Sequence, residues 1–459
     1  MKKKSIFDNP KLKEIFDLEA LPEVTLEIKV ADWNRLLEAF DAAPDVNFWI
    51  PGDFVFSGND HIAAQKVPNV GLRVRGNSSR NRPEGNEGEH HNPKNPVWRQ
   101  ASFALQFGRN VPGQRFESLS RLDLKFIRED PTRIREVYSF DLYQEAGVYS
   151  GPLMSMCRFF IHIIDGGAKP AYFGIYKLKE FIEDDYLDAR KTYFGDDNPG
   201  SHIPFLWKGD NGAALNNYDP SVIEDRGIYD LRTNTSSRKV ANAQLTSFVR
   251  NLVTLKGDAL KNWAHEAMDV KLLLKSYLIN VICGNMDDYW ANANNFNFYF
   301  NTHGKFFFIP NDFDTTLGTG WGIDAGTQDI FDWGNPGHPL IQKLLSVSDF
   351  LHLYISAFYE LTNANDGPFY VSRSIHRIEN WYTLIRPYLW DDTIHLACHN
   401  DEAGCVLQLP NKNHQTPFED RPAWWTSGGN NRDYRLLERG RWNFFEVSGD
   451  KERIPQIHD

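Results

Sequence analysis

The chain has 459 residues, of which 41% are hydrophobic and 14% aromatic, and its formal net charge is −11. That length exceeds one ordinary core and implies two lobes or domains, while the apolar content excludes bulk disorder. The acidic balance argues against nucleic acid as the main partner, because neutralising phosphates requires a basic surface.

Taken in chain order, "MKKKSIFDNPKLKEIFD" has a basic start but no apolar core region, so no signal peptide is visible. No run is long and apolar enough to predict a membrane span. "PEVTLEIKVAD" (22–32) alternates as a half-buried strand does, and "WNRLLEAFDAA" follows with helical spacing. "VGLRVRGNSSRNR" reads as a strand running into a Gly-Asn-Ser turn. Residues 80–100 are polar and predict a long flexible loop. "ASFALQF" (101–107) and "LSRLDLKFI" (119–127) are strand-like. Asp130 and Pro131 then suit the cap and first turn of a helix that Gly147 stops. "CRFFIHIIDGGAKPAYFGIYKLKEFI" predicts two strands around a Gly-rich turn, so residues 20–180 read as an antiparallel sheet with one or two helices.

Beyond residue 181 the pattern is mostly helical. "SFVRNLVTLKG" and "DVKLLLKSYLINVICG" are helices, the second apolar nearly all round and hence buried, with Asp269 as its cap and Gly284 as its stop. "HPLIQKLLSVSDFLHLYISAFYELT" and "VSRSIHRIENWYTLIRPYL" add more helix, and the last forty residues read as a loop and a helix. The four cysteines, Cys157, Cys283, Cys398 and Cys405, form no Cys-x-x-Cys pair, so a zinc site is not expected. Cys398 and Cys405 could close a small disulfide loop, or remain reduced.

The stretch "GNMDDYWANANNFNFYFNTHGKFFFIPNDFDTTLG" (284–318) carries the chemistry. A loop leaves the buried helix, "NFNFYFN" and "KFFFIP" form a hairpin about "THG", and both ends of that hairpin meet at one mouth. Asp287, Asp288, Asn294 or Asn295, Asp312 and Asp314 are thereby gathered. All offer oxygen ligands, which hard cations such as Mg²⁺ or Mn²⁺ take together with substrate phosphates. A loop Asp, a following Asn, a hairpin and a final Asp is also the order of a kinase active site. Taken singly, each of these residues is equally a turn or cap residue.

Four segments resemble the spore-coat protein H (CotH) family of atypical protein kinases: "GLRVRGNSSR", "LSRLDLKFIREDPTRIREVYSFDLYQEAGV", "YFGIYKLKEFIEDDYL" and "NMDDYWANANNFNFYFNTHGKFFFIPNDFDTTLG". The resemblance implies an α+β, two-lobed protein-kinase-like fold. Residues 1–180 would form a β-rich N-lobe and 181–459 a mainly helical C-lobe. It implies ATP and Mg²⁺ or Mn²⁺ as cofactors, and a protein acceptor phosphorylated on Ser or Thr. It assigns Asp287 as the catalytic acid, with Asp288 as the close alternative, and Asn295, Asp312 and Asp314 to metal. Arg75, Gly76, Asn77 and Ser78 would lie over the phosphates. Two features depart from the family pattern: Asn311 stands where an aromatic precedes the metal Asp, and the loop after Ser79 is long and His-rich.

Other residues have two readings. Lys125 could pair with Glu136 to hold phosphates, as a strand Lys and a helix Glu do in kinases, or simply face solvent. Glu180 could line the nucleotide cleft or lie on the surface, and Lys208 is a second basic candidate. His90 and His91 read as a solvated pair, and Trp424 and Trp425 as packing residues or a ring platform. Competing functions are adenylyl transfer on the same scaffold, a non-catalytic coat or envelope scaffold, and a metal-dependent phosphoesterase.

Overall fold

The computed structural model describes residues 11–76, 80–127, 133–167, 169–314, 316–317, 329–363 and 365–388. Asn77, Ser78, Asp130, Pro131, Cys398, Cys405, Trp424, Trp425 and the last forty residues therefore lie outside the described residues.

The protein is α+β, and its first part closes into a seven-stranded barrel. After a short helix α1 (Lys11–Ile15), the strands are β1 (Glu23–Ile28), β2 (Ile50–Phe56), β3 (Gln65–Arg75), β4 (Ser102–Gln106), β5 (Arg121–Phe126), β6 (Met154–Ile163) and β7 (Ala171–Lys179). Helix α2 (Val30–Ala42) follows β1, and α3 (Arg135–Glu145) follows β5. Neighbours around the barrel run β1-β2-β3-β4-β5-β7-β6, and parallel pairing of β1 with β6, Glu23 opposite Arg158 through Ile28 opposite Ile163, closes it. The antiparallel sheet expected for residues 20–180 thus closes into a barrel, with one parallel pair. Alternation along each strand shows which face is buried, but not whether the first strand meets the last.

The barrel interior is filled by inward positions such as Leu26, Phe54, Leu72, Phe103, Leu124, Phe159 and Leu178. Each such side chain contributes about 1.5–3 kcal/mol on burial. The loop 80–100, expected to be flexible, is pinned to α2. Arg82 Nε donates to Asp41 at 2.7 Å, and Glu84 accepts from Trp33 Nε1 at 2.8 Å. His91 is buried with Nδ1 2.9 Å from Glu84, whereas His90 is exposed beside Glu38. The expected solvated pair is therefore split, because neighbouring residues on an extended segment face opposite ways.

Helix α3 starts at Arg135, later than the Asp130 cap predicts. Arg133 has φ 68°, which a right-handed helix cannot include. Its C-terminus matches expectation, with Gly147 in the left-handed region at φ 71°. Val137, Tyr138, Phe140 and Leu142 of α3 belong to a second core, shared with Met154 and Met156 of β6 and with the helices that follow.

That second part contains short helices α4 (Asp184–Asp188), α5 (Lys191–Phe194) and α6 (Pro220–Ile223), strands β8 (Phe205–Gly209) and β9 (Tyr229–Leu231), and helices α7 (Arg238–Thr254), α8 (Gly257–Ala267), α9 (Val270–Ile282) and α10 (Tyr289–Asn292). Next come the hairpin β10 (Phe296–Phe300) and β11 (Phe306–Pro310), then α11 (Pro339–Leu345), α12 (Ser348–Thr362) and α13 (Val371–Ile385). Asp269 caps α9, accepting from Leu272 N at 3.0 Å, and Gly284 follows it at φ 69°, both as expected. The hairpin is not isolated: β8 and β9, which the helical reading missed, extend it to a four-stranded sheet in the order β11-β10-β8-β9.

No helix among the described residues is long and apolar enough to cross a membrane. Cys157 and Cys283 are both buried.

Candidate active site

Two walls meet at the site. The first is the outer face of β5 and β7. Leu122, Leu124 and Leu178 point into the barrel, so the alternating Asp123, Lys125, Lys177 and Lys179 point out, towards the second part of the chain. The register sets Lys125 opposite Lys177 and Asp123 opposite Lys179. Four buried charges on two strands demand partners, because burying an unpaired charge is costly.

Those partners come from far along the chain. Glu136, in the first turn of α3, lies 3.2 Å from Lys125 Nζ and accepts a short bond from Lys177 Nζ. Lys125 also pairs with Asp312 and lies 3.2 Å from Asp314. Lys179 donates to Asn311 Oδ1 at 2.7 Å and sits 5.5 Å from the Phe140 ring centroid. Asp123 pairs with Arg75 at 3.0 Å. Gly76, next after Arg75, has φ 120°, a backbone turn that suits glycine.

The second wall is the mouth of the β10–β11 hairpin. Phe296 pairs with Pro310, so Asn295 and Asn311 leave the sheet at the same end. The segment after β11 is clasped on three sides. Phe313 packs on Phe140 at 5.0 Å, its N–H donates to Glu136 at 3.3 Å, and Leu317 N donates to Cys283 O at 2.7 Å. Arg135 Nε also holds Leu317 O at 3.0 Å. Asp312 has φ 59° and Asn295 φ 51°, left-handed conformations that Asp and Asn tolerate better than most residues. Burying Phe313 turns both flanking carboxylates, Asp312 and Asp314, onto Lys125.

Asp287 and Asp288 are separated by the fold. Asp288 is buried and caps α10. It accepts from Ala291 N at 2.7 Å and from the Tyr277 hydroxyl and the Asn280 amide through short bonds. Asp287 is half-buried at the mouth, and asparagine amides orient its carboxylate: Asn292 at 2.6 Å and Asn294 at 3.3 Å on one oxygen, Asn295 at 2.7 Å on the other. The buried Asn285 ties the two parts of the mouth together, accepting from Asp287 N at 3.2 Å and donating to Asp312 O at 3.4 Å.

The electrostatics follow from burial against these pairs. Burial works to raise Glu136, but the Lys125 and Lys177 ammoniums outweigh it and hold the carboxyl at about 2. Burial likewise opposes ionisation of Asp312, and Lys125 and Lys179 overcome it, holding Asp312 well below the usual carboxylate range. Asp314 is pushed up to about 6 by burial and by the Asp312 charge, with Lys125 opposing. Burial brings Lys179 down to about 8 against the pull of Asp312 and Glu136. For Asp288, burial prevails over its hydrogen bonds and moves it up to about 7. Asp312 and Asp314 are half-exposed, so solvent screening trims the effects on them.

Not every candidate joins this group. Glu180 is buried, away from solvent, with both oxygens bound by Arg190 at 2.8 Å and one also accepting from Leu153 N at 2.8 Å. Lys208 pairs with Asp210 on its own strand end. Sequence reasoning missed Lys177, Lys179, Asn285, Asn292 and Arg190. The Lys-x-Lys spacing of 177 and 179 was a usable signal, since it places both lysines on one face of a strand. Nothing local marks Arg190 as the partner of Glu180.

Among the described residues, no three or more His, Cys, Asp or Glu side chains form a ready-made metal shell. An open set of two carboxylates and an asparagine oxygen suits a hard cation whose shell is completed by phosphate and water. The Asn295 amide nitrogen is committed to Asp287, so its oxygen is the end that could meet a cation. A separate groove of about 370 Å³, lined by Phe331, Gln342, Leu345, Ser346, Leu351 and Ile355, contains none of these residues.

The profile described as CotH kinase protein matches residues 72–409, a span that includes every residue of both walls. The chain belongs to the CotH family. Similar curated proteins come from Rhizopus delemar. Spore coat protein homolog 1 is 22% identical over 344 residues, covering 71% of this chain and 51% of that protein. Invasin CotH2 is 23% identical over 313 residues, covering 67% of this chain and 46% of that protein. Invasin CotH3 is 24% identical over 311 residues, covering 65% and 46%. This CotH-family chain thus spans about half the length of the curated relatives it matches.

Proposed function

We propose that the chain is an ATP- and divalent-metal-dependent phosphotransferase that phosphorylates protein Ser or Thr hydroxyls, with the barrel as the N-lobe and the helical part as the C-lobe of a kinase-like fold. One observation carries the reading: Lys125 on a strand, Glu136 on the next helix and Asp312 after the hairpin converge on one ammonium, although Lys125 and Asp312 are 187 residues apart. A strand Lys, a helix Glu and a metal Asp are the parts that a kinase must bring together. Family membership supports the same reading.

In this mechanism Glu136 positions Lys125, and Lys125 binds phosphate oxygens. Asp312, Asp314 and Asn295 would hold the cation. When bound, Mg²⁺ or Mn²⁺ supplies charge neutralisation across the phosphates of ATP. Asp287, oriented by its asparagines and open at the mouth, accepts the hydrogen bond of the acceptor hydroxyl and takes its proton. Asp288 is a positioning residue that caps the turn presenting Asp287. Arg75, at the end of β3, and Gly76 after it cover the phosphates. The name of one relative, a spore coat protein homolog, supports a coat or exported location.

The test is intact mass after incubation with ATP, Mg²⁺ or Mn²⁺ and a Ser-rich protein acceptor, for wild type and Asp312→Ala. A phosphoryl gain on either protein that the variant lacks is the expected result. A gain of one AMP unit would instead make the site an adenylyltransferase. No gain, together with no change of melting temperature on adding ATP, would overturn the reading and favour a scaffold.

A further inference from the structure

Three lysines line the barrel wall, but their surroundings differ. Lys125 Nζ is spent on Glu136, Asp312 and Asp314, and Lys177 Nζ on Glu136. Lys179 is only 4% exposed, and no carboxylate among the described residues lies within ion-pair distance of it. An ammonium has three N–H donors. One of them meets the neutral Asn311 oxygen, and the Phe140 ring covers another side. A buried cation with a neutral partner is expensive to keep for stability alone.

Its position is informative as well. Asn311 immediately precedes Asp312, so Lys179 is anchored one residue from the carboxylate that also holds Lys125. On the opposite strand, Asp123 faces Lys179 in register, but its carboxylate is turned to Arg75. Lys125 and Lys177 thus share three carboxylates at ion-pair distance, Glu136, Asp312 and Asp314, whereas Lys179 feels Asp312 and Glu136 only from farther off and keeps N–H donors that no carboxylate among the described residues occupies. A phosphoryl oxygen is an acceptor that fits those donors, and a phosphate chain near Asp312 would supply one.

Building on the phosphotransferase reading, we propose that Lys179 is a phosphate-binding residue of the nucleotide site, held in place by Asn311. Lys125 shares its charge among three carboxylates, and Lys179 provides the uncommitted donors.

The experiment compares melting temperature and ATP affinity of wild type, Lys179→Met and Lys179→Gln, with Mg²⁺, using ATP and adenosine as probes. Lys179→Met removes the charge and keeps the volume. It is expected to melt at or above the wild-type temperature while binding ATP at least tenfold more weakly, with the response to adenosine unchanged. Lys179→Gln keeps a donor to Asn311 and is the variant to read if Lys179→Met does not accumulate as folded protein. ATP affinity unchanged in a folded variant would overturn the role of Lys179 and leave the phosphotransferase reading intact. A parallel loss of ATP affinity and several degrees of melting temperature would make Lys179 structural and also overturn it. Wild type that fails to bind ATP at all would remove the phosphotransferase reading, and this inference with it.

Discussion

The lysine wall and the acidic mouth face each other but are built by opposite means. Lys125, Lys177 and Lys179 are buried on two paired strands, and the ladder fixes their spacing. Asp287, Asn295, Asp312 and Asp314 are half-buried on turns, with left-handed backbone at Ala293, Asn295 and Asp312. Strained turn residues of this kind each cost on the order of 1–3 kcal/mol and persist when their surroundings enforce them. Here the enforcement comes from Phe313, Asn285 and the clasp on Leu317. The contrast suggests a division of work. The dry wall fixes positive charge, and in the proposed phosphotransferase the wetter mouth would admit and orient ligands.

The most severe way to break this arrangement is to remove the carboxylate that neutralises the wall. Glu136→Ala leaves two buried ammoniums short of a partner and should cost about 3–5 kcal/mol, read by urea unfolding. An intact stability would show that water reaches the wall. A smaller loss, about 2–3 kcal/mol, is expected for Asp288→Ala, because a helix cap disappears and the buried Tyr277 and Asn280 donors are stranded.

Asp287→Ala sharpens the same comparison from the mouth. It should change stability by less than about 1 kcal/mol, yet lower the transfer rate by about a hundredfold or more in the assay proposed above. Equal effects at 287 and 288 would erase the distinction between the half-buried acid and the buried cap.

The mildest test is pH. Glu136 is held at about 2, below its ordinary value of 4.5, so its contribution to stability is complete above pH 4.5 and is lost as pH falls towards 2. Glu136→Gln should therefore flatten the acid limb of the stability profile, measured by melting temperature between pH 5 and about 2. An unchanged limb would mean that Glu136 does not sense Lys125 and Lys177.

Much of the mouth was legible in the sequence. The aromatic alternation of 296–300 and 306–310 defines the hairpin, and the turn at Gly304 sets its register. Asn295 and Asp312 must then emerge side by side. Asp269 and Gly284 likewise marked the ends of the buried helix. These features depend on contacts within a few tens of residues. What separates Asp287 from Asp288 was not legible, because it depends on Tyr277 and Asn280 being one face of α9 beneath the loop.

The sequence by itself determined most of the barrel strands, the β10–β11 hairpin, the helices α2, α3, α7, α9, α12 and α13, and the collection of oxygen-bearing side chains at one hairpin end, because periodicity and turn chemistry act locally. Only the tertiary structure decided that β7 lies beside β5 with β6 beyond it, that β1 closes on β6, and that Lys125 stands opposite Lys177 within reach of Glu136 and Asp312. Alternation says which way a side chain points but not which strand becomes its neighbour. That choice is made by burying both cores at once and by finding a partner for every charge they enclose.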